Sequence, residues 1–69
     1  MSYTSENEQR AKDKAIEARN ILIETAEAME RLADEKQNDW KTDYLDKLRT
    51  DAIEIRKMAI EVRKIEQRL

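Results

Sequence analysis

Not one glycine or proline interrupts the 69 residues of this chain, so nothing in it is obliged by backbone chemistry to break a helix. Ala, Ile, Leu, Glu, Lys and Arg dominate, and Phe is absent too. This composition favours helices and disfavours strands. The open question is whether the chain forms one helix or two.

The apolar register answers it. In the first half, Ala11, Ala15, Ala18, Leu22, Thr25, Met29 and Leu32 recur in alternating steps of four and three, the signature of one helix face. In the second half, Leu45, Leu48, Ala52, Ile55, Ala59 and Val62 repeat the pattern, reaching Leu69 past the polar Glu66. Continuing the first seam through the middle lands on Lys36, Asp39, Asp43 and Asp46, so the two seams do not belong to one rod. The reading is therefore all-α: a single antiparallel helical hairpin spanning 1–69, with helix 1 over about 5–37, a turn at 38–42 and helix 2 over 43–69. Ser5 and Glu8 supply a capping box for the first helix, with residues 1–4 expected to fray before it. Asn38 is suited to a left-handed C-cap, and Asp39 or Thr42 to the N-cap of the second helix.

Charge supports an antiparallel pair. Residues 1–40 carry a net −4 and residues 41–69 a net +2, so the halves attract. Within each helix, Glu6 with Arg10, Glu8 with Lys12, Glu27 with Arg31 and Asp43 with Lys47 are spaced for local ion pairs, each worth about 0.3 kcal/mol.

The apolar positions are too widely spread for one neighbour. Ile16 and Ile23 flank the first seam on one side, Ile21 and Ala28 on the other; the second is flanked by Ile53 and Ile60, and by Tyr44, Met58 and Ile65. Together with the seams these cover roughly 200° of each helix. A chain this short usually needs a disulfide, a metal or a partner, and with no Cys and no His the partner remains. A four-helix bundle of two hairpins follows, either a homo-oligomer or a pairing with a related hetero-partner. The expected interface comprises Leu22, Met29, Ile16, Ile23, Trp40, Ile53, Ile60, Met58 and Ile65. Ile53 and Ile60 are the favoured contacts with the second hairpin.

Chemistry finds little material. Without Cys or His, and with only Ser2 and Ser5 as serines, both at the expected frayed start, there is little material for nucleophilic catalysis and none for an ordinary zinc site or a Glu-x-x-His di-metal motif, and without Gly there is no phosphate loop. No catalytic, metal or cofactor site is expected, and the chain reads as a non-enzymatic protein-interaction module. Arg49, Arg56 and Arg63 form a column seven residues apart at the flank of the second seam. They are candidate contacts for an anion or for a partner's carboxylates. A small dimeric RNA-binding regulator is the alternative function; a net charge of −2, interleaved acids and the lack of an aromatic row disfavour nucleic acid. No apolar run reaches the ~18 residues of a membrane span, and "MSYTSENEQR" lacks the regions of a secretory signal. The expected location is the cytoplasm, or outside the cell without a cleaved signal peptide.

The only Trp sits in the expected turn, where its ring is suited to cover the end of a bundle. The stretch "NDWKTDYLDKL" resembles the turn of the WXG100 family of small type VII secretion proteins. Trp40 matches the family's Trp, and Tyr44 and Leu48 match the apolar positions that follow it. Thr42 stands where the family has Gly, and Leu48 stands where its Tyr-x-x-x-Asp/Glu export signal ends. The resemblance implies a hairpin that pairs, homo or hetero, as an antiparallel four-helix dimer and acts as a secreted substrate or as a partner presenting a toxin for export.

Overall fold

A computed structural model describes residues 5–69; the expected fraying of residues 1–4 lies outside the described residues, as does Ser2. Two helices, α1 (Glu6–Glu35) and α2 (Thr42–Arg68), pack along each other as an antiparallel hairpin 59 Å long and 14 × 12 Å across. The break between two helices, read from the lost apolar register, is present. Its boundaries differ, since α1 ends two residues before the expected position and α2 begins one residue earlier.

Ser5 caps α1: its hydroxyl accepts the backbone N–H of Glu8 at 3.1 Å, satisfying one of the helix's free donors. At the other end, the expected left-handed cap at Asn38 is absent, because no described residue has positive φ. The chain instead reverses through bridge and helical conformations. Lys36 at φ −99°, ψ 7° donates to the Leu32 carbonyl, and the amides of Asp39 and Trp40 both donate to the Lys36 carbonyl at 2.9 Å. Every turn thus closes with negative φ, which any residue adopts. This is why a chain with no glycine can still fold back. Neither Asp39 nor Thr42 caps α2. Lys41 holds the N-cap position with no side-chain bond, and its carbonyl accepts the first helical N–H, from Leu45 at 3.1 Å.

Three ion pairs between the helices set their register. Arg19 stands level with Glu66 (3.0 Å), Arg56 with Glu30 (2.6 Å) and Arg49 with Asp34 (3.2 Å). This brings Ala26 level with Ala59 and Ala33 level with Ala52. These four alanines and Leu45 are the buried core, each no more than 4% exposed. Small side chains let the two backbones approach closely. The same register ends α2 level with about residue 16 of α1, so segment 6–15 of α1 projects about 15 Å past it.

The α2 seam is the expected one as far as Val62: Leu45, Ala52 and Ala59 are buried, with Leu48, Ile55 and Val62 partly so, whereas Leu69, expected to continue it, is 41% exposed at the end of the helix. In α1 the seam is corrected. Ala15, Leu22 and Met29 lie on it, but Ala11, Ala18, Thr25 and Leu32 are exposed, and Arg19, Ala26 and Ala33 take the inward positions instead. The helix has turned by about half a residue step, roughly 50°. That turn sets alanine against alanine at closest approach and swings Arg19 and Glu30 to where their α2 partners stand.

Among the expected local ion pairs, Glu27 with Arg31 is present at 3.9 Å. Glu6 with Arg10, Glu8 with Lys12 and Asp43 with Lys47 are not formed among the described residues. The helices use i,i+3 pairs instead, Lys14 with Glu17, Glu54 with Lys57 and Glu61 with Lys64.

Candidate protein-interaction site

Two long faces of the hairpin remain, one on each side of the plane containing both helix axes. They differ in chemistry because the α1 rotation sends charged positions to one side of the alanine seam and apolar positions to the other.

The first face holds the ion pairs. Arg19, Glu30, Arg49 and Arg56 lie along its groove, with Ile16, Ile23, Ile53 and Ile60 beside them. Arg56 forms a bidentate fork with Glu30, its Nε at 2.9 Å and a terminal nitrogen at 2.6 Å from the two carboxylate oxygens. The hydrogen bonds to Arg56 hold the Glu30 carboxyl below its ordinary range, and those to Glu30 raise Arg56 above its own. Both side chains keep about 40% of their surface in water, so the pair orients the helices more than it stabilises them. Arg49 binds Asp34. Of the arginine column read from sequence, two members therefore face carboxylates of their own chain. Arg63 lines a recess of about 220 Å³ with Arg19, Ile23 and Ile60, and makes no ion pair among the described residues. Ile53 and Ile60 are about half exposed and stand outside the ladder of charges.

The second face is apolar. Leu22 and Met29 of α1 and Ile55 and Val62 of α2 form its floor, each partly buried. Its rims are Ile21 (60% exposed), Leu32 (37%), Met58 (54%) and Ile65 (46%). Thr25 sits among them with its hydroxyl already donated to the Ile21 carbonyl at 2.7 Å, so covering it strands no donor. Near the turn, Lys47 and Asp51 line a recess beside this face with Tyr44 and Leu48.

Trp40 is half-buried in the turn, its ring meeting Tyr44 edge-on at 5.1 Å and 86°. The pair, with Asp39 and Lys41, lines a shallow recess at the tip of the hairpin.

The expected interface residues do not form one patch. Leu22, Met29, Met58 and Ile65 share the apolar face, Ile16, Ile23, Ile53 and Ile60 the charged one, and Trp40 the tip. Sequence reading missed the exposed column Ala18, Thr25 and Leu32, which it had assigned to the contact within the hairpin. Among the described residues, no helix is long and apolar enough to cross a membrane, and no group of three or more carboxylates is gathered for a metal ion.

The fold places the chain among all-α antiparallel helical hairpins. Comparison with protein families, with curated proteins and with solved structures finds no match for it, so its function is read from its own residues.

Proposed function

We propose that the chain is a non-enzymatic protein-interaction module that works as part of a helical bundle, with itself or with a related hairpin. One observation carries the reading. Among the described residues, the hairpin buries four alanines and one leucine, while nine large apolar side chains stay at least 37% exposed. An alanine contributes little more than one methyl to a core, against ~1.5–3 kcal/mol for a buried isoleucine or leucine. Most of the apolar surface able to stabilise the fold therefore lies outside the hairpin's own contact, and it is aligned along the helices rather than scattered.

A nucleic-acid role has weaker support, because Arg49 and Arg56 face Asp34 and Glu30 and the remaining bases are interleaved with acids. The turn's likeness to the WXG100 pattern makes secretion-associated pairing the particular form of the proposal, with the chain outside the cell in that case.

In-cell cross-linking of a tagged chain tests the function. The reading predicts an adduct with a second copy or with another short helical protein. Steeply salt-dependent retention on RNA or heparin by a chain that forms no such adduct refutes it, since that behaviour reports phosphate contacts.

A further inference from the structure

We propose that the apolar face is covered by a second copy of this chain, with both turns at the same end of a four-helix bundle, so that α1 of each copy lies against α2 of the other. This rests on the interaction-module reading and adds the face, the occupant and the direction.

The face follows from desolvation. Covering the other one would bury the Arg19–Glu66 and Arg56–Glu30 pairs, a costly step for charges now partly in water. The apolar face has no ion pair between α1 and α2 along its floor and a threonine whose hydroxyl is already bonded. Ile53 and Ile60, the contacts favoured from sequence, lie on the charged face and stay uncovered in this arrangement.

The occupant follows from periodicity. The exposed column Ala18, Thr25 and Leu32 repeats every seven residues, as does Tyr44, Asp51, Met58 and Ile65 on α2. A seven-residue repeat maintained along each helix is what a second helix running alongside requires. Area agrees. The rim residues Ile21, Leu32, Met58, Ile65 and Leu69 are about 40–60% exposed, and a two-fold dimer covers each of them twice. One set lies on each partner, and with the floor residues it forms the apolar centre of an interface whose standard size is ~800 Å² per partner.

The direction follows from size and charge. A two-fold axis parallel to the helices keeps every residue at its own height. Ala18 of one copy then meets Ile65 of the other, and Thr25 meets Met58, small against large, which packs by interdigitation. The only polar member of the α2 column, Asp51, falls near Leu32 at the rim beside Lys47. With turns at opposite ends, α2 would face α2, large against large, and α1 would face α1, small against small. Charge points the same way. The half with net −4 lies on the half with net +2, Glu17 falls level with Arg68, and Arg31 with Glu54; Glu24 opposite Glu61 is the one unfavourable pair at the rim.

The chain has no cysteine, so Asn38→Cys carries a single spin label for dipolar distance measurement, alongside sedimentation. Same-end packing predicts a doubled mass and a label separation below about 30 Å, since neighbouring helices lie 8–10 Å apart. A doubled mass with labels about 50 Å apart overturns the direction while leaving the interaction-module reading intact. A helical monomer at high micromolar concentration overturns the second copy as occupant. The size contact is tested separately: Ala18→Ile should weaken dimerisation at least tenfold and Ile65→Ala in the same chain should restore it, whereas Ile53→Glu with Ile60→Glu should leave the mass doubled. No restoration by Ile65→Ala, or dissociation by the Ile53/Ile60 change, overturns the choice of contact.

Discussion

Replacing Ala26 by Leu tests the closest contact between the helices. Ala26 is fully buried level with Ala59, which is 4% exposed, so the three added carbons have no vacant space to enter. The helices must move apart or the leucine must leave its preferred rotamers. Separation loosens the matching Ala33–Ala52 contact and stretches the Arg56–Glu30 fork, now 2.6 and 2.9 Å. Overpacking of this kind costs about 1–3 kcal/mol, and about 2 kcal/mol corresponds to a fall in Tm of roughly 8–16 °C for a domain of this size. Thermal melts followed by circular dichroism at one fixed concentration read the effect. Asn20→Leu, on the outward face of the same helix, should hold or slightly raise Tm through better helix propensity. A Tm raised by Ala26→Leu would mean the helices are not held at alanine contact distance, and the register argument would fail with it.

Acidification and the turn supply two further predictions. Because the Glu30 carboxyl titrates below its unfolded value in contact with Arg56, its contribution is full above the ordinary carboxylate range and is lost as pH falls through the lowered value. Arg56→Gln should flatten that part of an acid-unfolding curve, and an unchanged curve would show the pair contributes nothing. Asn38→Gly should lower stability by about 0.4–1 kcal/mol, because no turn residue uses positive φ and glycine only adds freedom to the unfolded chain; a gain in Tm by denaturation would contradict the turn geometry.

Much of the fold was legible in the residues. The lost register at Lys36, Asp39 and Asp43 marked the reversal, and the α2 seam from Leu45 to Val62 was read position by position. The α1 seam was legible only in part, because its apolar arc is wide enough to offer two choices. Ala15, Leu22 and Met29 belong to both, and periodicity alone cannot decide between Thr25 with Leu32 and Ala26 with Ala33. The deciding contacts are long-range: Ala59 and Ala52 at the same heights, and Glu66 and Arg56 within reach of Arg19 and Glu30. Aligning the second half in reverse against the first would have exposed that signal. The caps at Asn38 and Thr42 were misplaced for a related reason. Side-chain preference was weighed there, whereas the reversal is made by backbone bonds to Leu32 and Lys36. For the candidate interface, the residue types were legible, but their division between a charged face and an apolar one depends on the α1 rotation and so was not.

Sedimentation equilibrium and circular dichroism on the same micromolar sample, repeated through a dilution series, test the central claim most directly. A hairpin with an alanine core and its large apolar residues outside should be helical only while assembled. The account predicts a species of twice the 8.2 kDa chain mass, with helicity and mass falling together on dilution. A species of 8.2 kDa that stays fully helical with a cooperative melt at every concentration would contradict it.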